Sequence, residues 1–319
     1  MLLSKIVRQG RVLRNLCYVR NYEAASRMVD FRIPPTHVAY DSYARSYWIA
    51  ELGIRVGPAQ SPLLGGLGHA RALKRAGVQF TNAGTEIIAQ APAFKAAVEN
   101  EDELFILKEV VADGVYNLSP SAPGAVVLDI GMNVGLASLQ FAAHPRVAAV
   151  WAYEPVAATY RRALANFDRN PELALKIKPH NWGLSDADGE MTFDYSPRCR
   201  GAVGVNGMAT EFRRYHRIEN LEPVTVTMRN TGEVIRTMRV EYPGAELIVK
   251  MDCEGCEYQI LSALRREKLL RQVQAFLIEW HKHGPTELVH TLADAGLATL
   301  SLMPREQTGM IYAFRRPSA

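Results

Sequence analysis

Beyond residue 124 two apolar patterns alternate. GAVVLDIG (124–131), AAVWAYEP (148–155), ELIVKMD (246–252) and QAFLIEWH (274–281) are short, nearly continuous apolar runs, and LKIKPHN (175–181) can supply a further strand between the second and third of them. Runs of this length, bounded by glycine or acid, predict strands buried on both faces. VGLASLQFAAH (134–144), VAATYRRALANFDRN (156–170), EYQILSALRRE (257–267) and PTELVHTLADAG (285–296) carry apolar positions three and four apart, which predicts helices. GEMTFDY (189–195) alternates like a half-buried strand, and ATLSLMP (298–304) with TGMIYAFRR (308–316) predicts a closing hairpin. Strands separated by helices pair in parallel through right-handed crossovers, so this part is an α/β sheet domain.

The first hundred residues are mixed. Leu2, Leu3, Ile6, Leu13, Leu16 and Cys17 gather on one side of a helical wheel, opposite Lys5, Arg8, Arg11 and Arg14. The spacing predicts an amphipathic helix, docked on its own domain or on a second copy of the chain; a membrane-surface helix or a targeting peptide is the alternative. IPPTH (33–37), VGPAQSPLLGGLG (56–68) and NAGT (82–85) are turn-rich, while HARALKRAGV (69–78) and AFKAAVENEDELFILKEVVADG (93–114) look helical. Residues 1–100 are therefore expected to be a mainly helical accessory region that shapes a ligand pocket or an oligomer contact, and residues 101–319 the α/β domain.

Composition narrows the class. With 319 residues, 48% hydrophobic and 22% charged, the chain can bury a large core, which excludes disordered and fibrous classes. A net charge of +4, from 37 basic against 33 acidic residues, does not call for nucleic acid as a partner. Four cysteines are too few for a disulfide scaffold and suit a reducing compartment. There is no apolar stretch of about 18 residues, and basic residues interrupt the N-terminus, so a soluble cytoplasmic protein without stable membrane insertion is expected.

The most informative segment is Val126-Val-Leu-Asp129-Ile-Gly131-Met-Asn133-Val-Gly135, where a strand runs into glycines and then a helix. Glycine lets a ligand approach backbone, and the helix N-terminus offers free N–H groups. Glu154, at the end of the next strand, is placed to accept the two hydroxyls of a ribose. The spacing G-x-N-x-G departs from the G-x-G-x-x-G of dinucleotide sites, which disfavours a dehydrogenase. Asp129 in that turn would repel a pyrophosphate and suit a cation. A nucleoside carrying ammonium and sulfonium, S-adenosylmethionine, fits both features.

LDIGMNVG, YEP, GLSDADGEMTF, VKMDCEGCEYQIL and LIEWH, in this order over residues 101–319, resemble the FkbM family of S-adenosylmethionine-dependent methyltransferases. The most distinctive piece is Asp252-x-Glu254-Gly255-x-Glu257. The resemblance implies a class I (Rossmann-like) seven-stranded methyltransferase sheet with an antiparallel last strand. It implies O-methylation of a hydroxyl on a small molecule, typically a secondary metabolite in natural product biosynthesis, or on a glycan. It also implies that Asp129, Gly131, Asn133 and Gly135 meet the methionine part and Glu154 the ribose. Asn181, Trp182 and Ser185 would lie at the adenine edge, and Asp252 near the sulfonium. Cys253 and Cys256, where small apolar residues are usual, and a long 196–222 segment depart from common family versions.

An alcohol must lose its proton as it attacks, so a base is expected at a strand end: Asp252, Glu254, Glu279 or His281. His281 is preferred because imidazole titrates near neutral pH, with Asp252 and Glu254 beside it, and His283 shares its face if the chain stays extended. A structural histidine is the bland alternative. No metal is expected: the His281/His283 pair with Asp252 and Glu254 lacks a defining geometry, and Cys253-x-x-Cys256 has no second pair to complete a zinc site. Gly201, Gly204 and Gly207 followed by Arg213, Arg214, His216 and Arg217 suggest a loop over the site, or a solvated insertion. Rival functions are N- or carboxyl methylation of a small molecule or peptide, and a non-catalytic cofactor-binding partner subunit. Met251-Asp252-Cys253-Glu254 stands where methyltransferases of adenine or glutamine amino groups carry Asn/Asp-Pro-Pro-aromatic, which argues against those.

Overall fold

Residues 38–98, expected to be mainly helical, instead hold two three-stranded antiparallel sheets: β1 (Val38–Asp41), β2 (Ser46–Ile49) and β3 (Ile54–Val56), then β4 (Gln79–Ala83), β5 (Glu86–Gln90) and β6 (Lys95–Val98). The computed structural model describes residues 2–19, 25–26, 38–41, 43, 46–196, 221–302 and 307–315. They fall into two compact units, Met1–Val115 and Tyr116–Ala319.

In the first unit the helical reading of 93–114 starts too early. Asn100 accepts a hydrogen bond from the Glu103 N–H and caps a helix that begins only at Glu101, so the residues before it are free to pair with β5. The helix Ala70–Arg75 lies inside its expected range. The N-terminal helix, α1 (Leu2–Val19), forms as expected but presents a different face. Val12 and Asn15 are buried and Leu13 is exposed. The inward positions 8, 12 and 15 share one face at helical spacing; Arg8 donates to Ser26 Oγ at 2.8 Å and the Asn15 amide N–H to the Ala25 carbonyl at 3.4 Å, while Asn15 Oδ1 is buried without a partner. Among the described residues no helix is long and apolar enough to cross a membrane.

The second unit is the expected α/β domain. Its strands are β7 (Ala125–Ile130), β8 (Val147–Tyr153), β9 (Ile177–His180), β13 (Leu247–Met251), β14 (Ala275–His281), β15 (Leu297–Leu302) and β16 (Thr308–Arg315), in the sheet order β15-β16-β14-β13-β7-β8-β9. Five pair in parallel, and β16 runs antiparallel to both β14 and β15. Every residue of β7 and β13 is buried, as central strands covered on both faces must be. Val126, Leu128 and Ile130 pack with Ile235 and Met238 of the helix Thr231–Glu241, Ile260 and Leu264 of the helix Glu257–Arg266, and Leu288 and Leu292 of the helix Thr286–Asp294. Three more strands, β10 (Gly183–Ser185), β11 (Gly189–Tyr195) and β12 (Glu222–Asn230), form a small sheet in the order β10-β12-β11. Its β12 was not anticipated. The glycine and arginine cluster expected over the site, Gly201 to Arg217, lies outside the described residues.

Candidate functional site

The carboxyl ends of β7, β8 and β13 surround a cleft that is open to solvent. Its floor is the turn after β7. Gly131, Asn133 and Gly135 all have left-handed backbone, with φ of 76°, 51° and 84°. The G-x-N-x-G spacing thus has a conformational cause: glycine takes these angles freely, and asparagine is one of the few other residues that does. Only the first two line the cleft. Gly135 instead lets two helices pack, because a Cβ there would stand 2.5 Å from the Phe167 ring. At Gly131 a Cβ would stand 1.9 Å from the Asp252 carbonyl oxygen, so the ends of β7 and β13 meet backbone to backbone.

Glu154 faces this turn. Its carboxylate accepts from the Asn133 N–H at 3.2 Å and the Val156 N–H at 2.9 Å, and burial pushes its pKa up to about 7. Asn133 Oδ1 is buried without a partner. A second wall is apolar, from Pro155, Val156, Leu184, Phe193 and Met228. The small sheet supplies most of it: Gly183 pairs with Met228 across β10 and β12, and a Cβ at Gly183 would meet the Met228 sulfur at 2.5 Å. Phe193 and Met228 were not foreseen, because their approach depends on pairing between β11 and β12, on either side of the 196–222 segment. Asn181, Trp182 and Ser185 do not line the cleft. Asn181 donates to the Glu154 and Pro155 carbonyls, Trp182 packs against the core, and the buried Ser185 holds Asp186.

Asp129 also departs from expectation. It is fully buried, accepts from Ser138 Oγ at 2.6 Å, and lies 3.1 Å from the ammonium of Lys250, which stands directly across from it in the β7–β13 register. Its charge is therefore paired inside the protein, and its side chain does not line the cleft. Lys250 was missed, although a lysine within the apolar run Leu247–Met251 was a visible signal.

The third wall is Asp252, Cys253, Glu254 and Cys256. Glu254 and Gly255 take positive φ, 52° and 117°, and the buried Glu257 clamps this turn by accepting from the N–H groups of Cys253 at 3.2 Å and Gly255 at 2.9 Å. Glu257 also meets His281 Nδ1 at 3.0 Å. The other nitrogen, Nε2, lies 3.7 Å from Glu254 and 3.9 Å from Glu279. Burial opposes a charge on His281, yet the bond to Glu257 and the charges of Glu254, Glu257 and Asp252 outweigh it and lift the pKa to about 10. An imidazole raised this far keeps its proton near neutral pH, which weighs against the reason for preferring it as base. Burial raises Glu254 to about 8 and Glu279 to about 7. Of the two, Glu254 lines the cleft. His283 does not join His281: Lys282, with φ 69°, turns the chain, and His283 packs edge-on against Tyr258 at 5.3 Å. Asp252, Glu279 and His281 do bring one ligand-type atom each to within 4.8 Å of the others. Cys253 and Cys256 are free thiols in the cleft wall, and burial raises the pKa of Cys253.

This cleft fits a nucleoside bearing a cation. Gly131 brings bare backbone to its floor, an unpartnered Asn133 oxygen and the Glu154 carboxylate offer acceptors, and Asp252 and Glu254 are acidic. The model of the Methyltransferase FkbM domain matches residues 129–302. The AMB antimetabolite synthetase AmbE of Pseudomonas aeruginosa is 30% identical over 208 residues, covering 57% of this chain and 10% of that protein. The hexuronic acid methyltransferase AglP of Haloferax volcanii is 27% identical over 175 residues, covering 54% of this chain and 64% of AglP. The crystal structure of Methyltransferase FkbM from Methylobacillus flagellatus superposes with a TM-score of 0.40 at 17% identity, covering 62% of this chain and 45% of that one.

Proposed function

The chain belongs to the FkbM family of S-adenosylmethionine-dependent methyltransferases, and from that premise we propose that it methylates a hydroxyl oxygen of a small molecule or sugar, with Glu154 holding the cofactor ribose and Glu254 taking the acceptor proton. When bound, the cofactor supplies a methyl group already activated on a sulfonium. The chain has then to hold it, align the acceptor oxygen and remove a proton.

In this reading Glu154 accepts the ribose hydroxyls, and Phe193, Met228 and Leu184 give the base an apolar slot. Gly131 and Asn133 take the amino acid end, with Asp252 beside the sulfonium. The observation that carries the acceptor assignment is Glu254 in the cleft wall with a pKa of about 8. A general base works best when its pKa lies near the working pH. His281, held as a cation by Glu257, acts on Glu254 as a nearby positive charge that favours its ionised form. The name of AglP supports a sugar acceptor. A hexuronic acid offers hydroxyls and a carboxylate, and Asp252, Glu254 and Glu279 repel an anionic acceptor more than a neutral one. That favours ether formation over ester formation.

The test supplies cofactor with a ¹³C-labelled methyl group and candidate hydroxylated metabolites and uronic acids, then reads the product by carbon NMR. A methoxy ether supports the proposal; an N-methyl or a methyl ester signal replaces it with one of the rivals.

The ribose assignment makes its own prediction. Glu154→Ala removes charged hydrogen bonds of about 1.5–3 kcal/mol, roughly 10- to 150-fold in Kd. The ionised carboxylate is the better acceptor, so in the wild type calorimetric affinity should rise as pH increases through about 7 and then level. Glu154→Gln should bind more weakly and lose that dependence. Equal affinity at every pH in wild type and Gln variant would reject the assignment.

A further inference from the structure

Lys250 carries an ammonium into the middle of the sheet, where it is 2% exposed. Its Nζ donates to the Gly131 carbonyl at 2.6 Å and reaches the Ile130 carbonyl at 3.4 Å. It lies 3.1 Å from Asp129 and 3.8 Å from Asp252, over the ring of Tyr116 at 5.4 Å. Taking a charge out of water costs several kcal/mol before its partners repay it. For packing β13 alone, a methionine of similar length would serve without that cost. What the lysine adds is a donor aimed at the carbonyl of Gly131, the residue whose missing side chain leaves room for the Asp252 backbone. A further bond, from the Asp252 N–H to the Ile130 carbonyl at 3.1 Å, joins the same two strand ends.

We propose that Lys250 is a positioning residue of the cofactor site, whose ammonium ties the Gly131 turn to the end of β13 and so sets the gap between that turn and Asp252. The inference rests on the cofactor reading above. Lys250 does not line the cleft and touches no reacting atom; it acts through Gly131 and Asp252. Asp129, across the strand pair, serves as its counter-charge.

The experiment replaces the buried pair together, Lys250→Met with Asp129→Leu. Exchanging a buried ion pair for apolar side chains often leaves stability unchanged or improved, so the fold has a route to survive. The expected result is a cooperative melt with affinity lowered roughly tenfold or more, alike for S-adenosylmethionine and its demethylated product. Amide hydrogen exchange at Gly131 and Asp252 in the unliganded protein should quicken. A folded double variant with wild-type affinity for both ligands overturns the proposal. If the double variant does not melt cooperatively, the neutral polar pair Lys250→Gln with Asp129→Asn takes its place: it should lose affinity likewise, and wild-type affinity for both ligands overturns the proposal. Wild-type protein that binds neither ligand removes the cofactor reading itself, a result obtained before any variant is made.

Discussion

Gly131→Ala should abolish measurable cofactor binding while leaving a folded protein. Its Cβ would stand 1.9 Å from the Asp252 carbonyl oxygen, and a backbone atom cannot swing aside as a side-chain tip does. The φ of 76° adds a left-handed penalty of about 1–2 kcal/mol for a residue with a Cβ. Overpacking adds typically about 1–3 kcal/mol more. The cheapest relief is to part the ends of β7 and β13, which breaks the Lys250 and Asp252 bonds across them and misplaces two cleft walls at once. Calorimetry with S-adenosylmethionine and a thermal melt read the two effects separately. Wild-type affinity in the variant would mean that the turn does not hold the cofactor. Gly135→Ala is the control: it should cost stability through Phe167 and leave affinity in the surviving folded protein nearly intact.

Glu254→Gln should lower kcat by about 10²- to 10⁴-fold with cofactor affinity retained, the range expected when a general base is lost. The wild-type rate should climb as pH rises through about 8, because only the ionised carboxylate takes a proton. The Gln variant should lose that limb. The neighbouring imidazolium favours the ionised form of Glu254, so His281→Asn should shift the limb to higher pH without removing it. A His281 variant that loses the limb, beside a Glu254 variant that keeps it, would return the base role to the histidine. The folded protein holds extra protons on Glu254 and His281, so both groups add stability at low pH that fades as pH rises toward 8 and 10. A cationic cofactor should therefore stabilise the protein most on the alkaline side.

Much of this was legible in the chain. Parallel strands announce themselves as β-branched runs, so β7, β8, β13 and β14 and the helices after them lie where periodicity put them. The turn after β7 was legible for the same local reason, since left-handed backbone at Gly131, Asn133 and Gly135 restricts residue type. Short strands with one buried face, such as Glu86–Gln90, leave too few positions to separate a period of two from a helical one, and the first hundred residues were misread there.

What amino-acid order alone determined is the α/β domain, the end of each central strand, and the acids at 154, 252 and 254 that stand there. These are properties of neighbours in the chain. The tertiary structure decided which groups keep their charge and where each points. Asp129 meets Lys250 only through a strand register spanning more than a hundred residues, and that pairing withdraws it from the cleft. The pKa of His281 is raised because Glu257, on the next helix back, and Glu254, in the turn before it, converge on its ring. Charge on a buried group depends on everything packed against it, and packing is not a property of any one segment.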